Sequence, residues 1–307
     1  MLGRNFKSNV KKERVFIASA DNYTADIVGI LQYGFKALGI TEDQFKGKRV
    51  LIKPNLVEPH KGLGHINTHP MVIRATVELF LRMGAGNVMV AEGAGHRRDT
   101  HLILEDSGLA QVLVEDRIPF MDLNNATVQR ILNSGTYTGL KELILPSAVI
   151  NADILVSLAK LKTHHWAGAT LSMKNMFGIM PGMIYGWPKN VLHYAGIHRS
   201  ILDINSTVRP HLSIVDGIIG MEGDGPIMGT PIQSNVLVMG TNSVAVDATC
   251  CRIMGIDPYK IPYLEHAESL IGPLSEYRIE QIGERIKTVQ TDFHLMDSIP
   301  AHQGIRL

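Results

Sequence analysis

Between Lys160 and Gly182 the chain reads Lys-Leu-Lys-Thr-His-His-Trp-Ala-Gly-Ala-Thr-Leu-Ser-Met-Lys-Asn-Met-Phe-Gly-Ile-Met-Pro-Gly. Three amines, Lys160, Lys162 and Lys174, and two imidazoles, His164 and His165, thus follow an apolar run, Ile154–Leu158, that reads as a buried strand. A buried ammonium without a partner costs several kcal/mol of desolvation, so a core element has no use for this set. The segment is expected to face a cleft and to meet an anion. Period-2 alternation puts Lys160, Lys162 and His164 on one side, where they repel one another unless an anion or a metal sits among them. Lys174 and Asn175 can approach the same point.

Other groups of the same chemical kind punctuate the chain. Lys53-Pro54-Asn55 offers a cation and an amide for a carboxylate or phosphate. Thr68-His69-Pro70 reads as a helix start, where free N–H groups favour an anion or a simple cap. Glu92-Gly93-Ala94-Gly95-His96-Arg97 is a flexed turn and an incomplete dinucleotide fingerprint; it suits an anion cradle with His96 as acid or base, or a plain loop. His193 and His198 lie five apart, and Asp216-Gly217 and Glu222-Gly223-Asp224 place carboxylates on glycine turns. His193, His198, Asp216 and Asp224 are the candidate metal ligands; the carboxylates can equally pair with the lysines. Asp247 stands in an apolar helical pattern and is either paired or part of the site.

Strand and helix patterns alternate around these groups. Val15–Ser19, Arg49–Lys53, Asn87–Ala91, Ile154–Leu158, His211–Val215 and Ser234–Met239 read as strands. Tyr23–Leu38, the segment from Pro70 to about Met83, Asn190–Val208 and Ser243–Met254 read as helices, and Ala169–Met180 fits a helix as well. The expected fold is α/β, with mainly parallel sheets and helices on both faces. It forms either two lobes, 1–150 and 151–307, around a cleft or one domain over about 15–260. Ligands of such sheets bind outside the carboxyl ends of the strands, where Lys53, Asn55, Glu92, Gly93 and His96 all fall.

Composition excludes several classes. With 30 basic against 29 acidic residues, no concentrated basic face for nucleic acid is expected. The 45% apolar and 19% charged content is that of a globular chain. Cys250 and Cys251 are adjacent, lack a C-x-x-C pattern and read as buried thiols. No apolar signal segment and no long apolar run is seen, so a cytoplasmic protein without a membrane partner is expected. No nucleophile elbow or Ser-His-Asp order points to a serine hydrolase.

The chain resembles the DUF362 family through Lys53-x-Asn55, Thr68-x-Pro70, Glu92-Gly93, Lys160-x-Lys162-x-His164, Lys174-Asn175-x-x-Gly178, Asp216-Gly217, Gly223-x-Gly225-Pro226 and Asp247. That family is sometimes joined to ferredoxin-like iron–sulfur modules. No cysteine-rich segment follows here, so no cysteine-held cluster is expected. More remotely, His164-x-x-Ala167-Gly168 followed by Lys174 is similar to nickel-pincer lactate racemases, with Leu171-Ser172 where those enzymes have Gly-Gly. The resemblance implies a lysine that anchors the cofactor, His164 as acid/base, His96-Arg97 as a further pair, and His193 or His198 as metal ligand.

Three functions compete. The first is an enzyme, racemase-like or redox-associated, that holds an anionic small molecule or cofactor. His164, Lys174 and His96 would be its catalytic groups, and Lys53, Asn55, Lys160, Lys162, Asn175, Glu92 and Gly93 its binding groups. The second is a non-catalytic metallocofactor carrier or accessory to an iron–sulfur or redox partner protein. The third is an anion-binding module.

Overall fold

A computed structural model describes residues 12–62, 64–95 and 98–307. Its strands, in chain order, are β1 (Glu13–Ser19), β2 (Arg49–Pro54), β3 (Asn87–Glu92), β4 (Phe120–Asp122), β5 (Val128–Leu132), β6 (Glu142–Pro146), β7 (Ile154–His164), β8 (Gly168–Thr170), β9 (Leu212–Glu222), β10 (Thr230–Gly240) and β11 (Ile279–Gly283). Nine of them form one sheet in the order β11-β1-β10-β9-β7-β2-β3-β4, with β8 folded back on β7; β5 and β6 make a separate hairpin.

The block β9-β7-β2-β3-β4 is parallel, as the strand–helix alternation predicts. β10 departs from that expectation: it runs antiparallel to both β9 and β1. Only residues 223–229 join β9 to β10, too few for the crossover that a parallel neighbour requires. The halves 1–150 and 151–307 do not form separate sheets, since β2 and β7 are direct neighbours.

Each strand of the block feeds two cores. Val50 and Ile52 join the layer under the helices Ile27–Leu38 and Pro70–Arg82, with Leu31, Phe35 and Phe80. Leu51 points the other way, into the layer with Ile201, Ile204, Val244 and Cys251 from the helices Ile197–Thr207 and Ser243–Ile253. Because both faces are covered, the strands read as continuous apolar runs rather than as alternating ones.

Two helical expectations are redrawn. The pattern Asn190–Val208 splits into Asn190–Tyr194 and Ile197–Thr207, because Gly196 adopts φ 101°, outside the helical region. Ala169–Met180 becomes the end of β8, a single helical turn at Ser172–Asn175 and a 3-10 turn at Met176–Ile179. Cys250 and Cys251 are fully buried free thiols. Among the described residues no helix is long and apolar enough to cross a membrane.

Candidate functional site

The carboxyl ends of β2, β3 and β7 open on a cavity of about 400 Å³. β7 supplies Lys162 and His164, the turns after β2 and β3 supply Asn55 and Gly93, and the helical turn after β8 supplies Lys174. That turn is aimed by a buried carboxylate. Asp247, in the helix Ser243–Ile253, accepts the N–H groups of Ser172 and Met173 at 2.8 and 2.9 Å. Burial pushes its pKa up to about 7, against the pull of those two N–H donors. Asn205 holds the same turn by donating to the carbonyl of Met173.

One wall of the cavity is a closed polar cluster. Lys53 Nζ donates to Glu92 Oε2 at 2.7 Å, to Asn175 Oδ1 at 2.8 Å and to the carbonyl of Pro54. Glu92 also accepts from the N–H groups of Leu56 and Gly93. Asn175 Nδ2 donates to the Lys53 carbonyl and to Ser157 Oγ. Gly178 lies against this pair so closely that an added Cβ would fall 2.4 Å from Glu92 Oε1 and 2.5 Å from Lys53 Cε. Lys53, Glu92 and Asn175 are therefore largely satisfied by one another. Removing one charge of a buried ion pair strands the other. Lys53→Met is expected to cost about 3–5 kcal/mol by chemical denaturation, with part recovered in Lys53→Met/Glu92→Gln; a loss below about 1 kcal/mol would contradict the pairing.

The lysines of β7 divide. Lys160 finds its anion within the fold: Nζ donates to Asp216 Oδ2 and to the Tyr23 hydroxyl, both at 2.8 Å, and neither Lys160 nor Asp216 lines the cavity. The pairing of β7 with β9 then shifts register, so that Lys162 stands opposite Met221 rather than a carboxylate. Lys162 Nζ donates to the carbonyls of Ile66 and Pro226. Burial, with Lys160, Lys174 and Lys53 nearby, holds this amine well below the usual lysine range.

Lys174 lines the cavity, and its Nζ lies 4.5 Å from the centre of the Phe177 ring. Among the described residues it makes no hydrogen bond and no ion pair. Burial, then Lys53, lowers its pKa to about 8, although the Glu92 carboxylate pulls it upward. His164 is buried, and its Nδ1 accepts the N–H groups of Trp166 and Ala167 at 3.0 and 3.2 Å. Two donors on Nδ1 put the proton of the neutral ring on Nε2. Burial, with Lys174 close by, holds the imidazole well below its ordinary pKa. It is thus a neutral hydrogen-bond donor, whereas a base would need the lone pair at Nε2.

His165 pairs with Asp224 at 3.2 Å, and both line the cavity beside His193, whose Nδ1 donates to the Lys189 carbonyl. His198 does not line it. The break at Gly196 starts a new helix, and the His198 ring stacks near Tyr263 instead, centroids 6.0 Å apart. Of the candidate ligands His193, His198, Asp216 and Asp224, only His193 and Asp224 line the cavity. Among the described residues no three His, Cys, Asp or Glu side chains converge to hold a metal. Leu171 and Ser172, which stand where the racemase-like spacing has Gly-Gly, are fully buried, and Ser172 Oγ donates to Ser213 Oγ. His96 lies outside the described residues.

Lys189 escapes a sequence reading. It follows Gly186-Trp187-Pro188, a stretch without periodicity, and adopts a left-handed φ of 69°. Its buried Nζ donates to the carbonyls of Gly93 and Met180 and to Asn124 Oδ1, and burial lowers its pKa to about 7. Trp166, Phe177 and Met228 of the cavity wall also carry no distinguishing local pattern.

A family model described as a domain of unknown function, DUF362, matches residues 50–252, which span the cavity residues and Asp247. The chain belongs to this family. A thylakoid-associated protein of Synechocystis sp. is 28% identical to this DUF362 chain over 230 residues, covering 73% of the chain and 68% of that protein. Among solved structures, the lactate racemase apoprotein from Thermoanaerobacterium thermosaccharolyticum aligns with a TM-score of 0.46 at 16% identity, over 80% of this chain. A protein from Thermotoga maritima aligns with a TM-score of 0.37 at 13% identity, over 70% of this chain. The chain spans 58% and 55% of the lengths of those two structures.

Proposed function

We propose that this protein is an enzyme that binds a small carboxylate or phosphate in the lysine-lined cavity and moves a proton on it. The observation that supports this most directly is Lys174: an amine at the cavity, with its pKa lowered to about 8 and no hydrogen bond or ion pair among the described residues. Such an amine exchanges a proton near neutral pH, as a general base must. His164, neutral and with its proton on Nε2, is suited to donate to an oxygen on which charge develops. Burial lowers the pKa of Lys162 and Lys189, and an anion arriving in the cavity favours their ammonium forms. In this reading neutral Lys174 takes a proton from carbon beside the substrate carbonyl, and His164 Nε2–H hydrogen-bonds the oxygen on which the charge develops. The Lys174 ammonium then returns the proton to the neighbouring carbon, an isomerase type of step.

Calorimetry with inorganic phosphate and small carboxylates tests the binding half. Because the amines have lowered pKa values in the free protein, anion binding should draw protons from the buffer. Affinity should fall as pH rises from 7 to 9, by up to about tenfold per unit for each proton taken up. Binding without proton uptake, equally tight at both pH values, would sink the reading.

A further inference from the structure

The cavity is also lined by a run of rings that the lysines do not explain. Five rings follow one another along it: Phe177 to His193 at 5.1 Å between centroids, His193 to Trp166 at 5.3 Å, Trp166 to His165 at 4.9 Å, and His165 to His164 at 5.1 Å. All five line the cavity. The Trp166 ring stands at 76° to His165 and at 70° to His193, so both of its ring contacts are edge-to-face, whereas the His164–His165 and Phe177–His193 contacts are tilted. Trp166 nevertheless keeps 54% of its surface exposed, and Met228, which also lines the cavity, keeps 77%. A large indole left half-exposed over a cavity is apolar area that a ligand can cover. The amines of Lys162, Lys174 and Lys189 line the same cavity, with Lys174 Nζ 4.5 Å from the centre of the Phe177 ring.

We infer that the anion taken by this site is an aromatic acid: a flat ring that stacks in the arc headed by Trp166, bearing a carboxylate or phosphate turned toward the lysines. This rests on the anion reading above and adds the ligand's second half. An aliphatic acid of the same size would bury similar area but would lose the ring–ring contacts.

Matched probes separate the two halves. Benzoate and cyclohexanecarboxylate differ in aromaticity at nearly equal size, and phenyl phosphate against inorganic phosphate repeats the comparison with the other headgroup. Benzoate is expected to bind about fivefold tighter than cyclohexanecarboxylate, as stacking contacts of about 1 kcal/mol would give. In Trp166→Leu, which keeps an apolar side chain at an exposed position, that ratio should collapse toward one. Phenyl phosphate stronger than benzoate would assign a phosphate headgroup, and the reverse order a carboxylate. Equal affinities for benzoate and cyclohexanecarboxylate overturn the inference, as does a preference that survives Trp166→Leu. If inorganic phosphate and acetate bind but the rings add nothing, only this inference fails. If no anion binds at all, the anion reading falls with it.

Discussion

Lys174→Arg is expected to keep anion binding within a few-fold while slowing proton exchange by about 10²–10⁴-fold, the usual contribution of a positioned acid–base group. Arginine retains the positive charge at the cavity but does not give up its proton near neutral pH. The substitution thereby separates the two duties of this side chain. Deuterium incorporation from D₂O beside the substrate carbonyl, followed by NMR, reads the proton step; calorimetry with phosphate reads binding. Equal loss of both would make Lys174 an anion anchor alone. Unchanged exchange would remove it from the mechanism altogether. The lowered pKa motivates the choice, because a lysine at about 8 is in part a neutral base at pH 7.5, and an unperturbed one is not.

Asp247→Ala is expected to destabilise the protein by about 2–6 kcal/mol, since it strands two buried backbone N–H groups at about 1–3 kcal/mol each. The loss should appear in chemical denaturation as a lowered midpoint. It should also loosen the site, because the two donors belong to Ser172 and Met173, the start of the turn that aims Lys174. A cost below about 1 kcal/mol would show that the turn holds itself. The pH dependence has a definite sign. The folded carboxyl titrates near 7, but in the unfolded chain it titrates near 4. Between those values the folded state binds more protons, so this group's contribution to stability is largest below about pH 4 and is lost as pH rises through 7. Wild-type stability should carry that slope, and Asp247→Ala should lack it.

Much of the site was legible from residue type. A cationic, histidine-bearing segment directly after an apolar strand has little use in a core, and Lys162, His164 and Lys174 do line one cavity. Lys53, Asn55, Glu92 and Gly93 could be placed at strand ends because a parallel sheet gathers its carboxyl ends on one edge. Local pattern could not distinguish Lys160 from Lys162. Both sit on the same strand with the same alternation, and only the register shift against β9 gives Asp216 to Lys160 and leaves Lys162 facing carbonyls. Nor could it separate His193 from His198, whose fates are set by the break at Gly196.

By itself the chain determined its strand–helix alternation, the parallel block, the buried thiols and the chemical character of one site, because each depends on residue type and short-range periodicity. Tertiary structure decided which charges cancel, where Lys189 enters, that β10 turns back antiparallel, and that His164 presents Nε2–H rather than a lone pair. Those outcomes depend on partners far apart in sequence, such as Asp247 with Ser172 and Glu92 with Lys53, or on which backbone N–H a ring nitrogen meets. Charge and protonation are set by desolvation and by neighbours in space, and spacing along the chain carries neither.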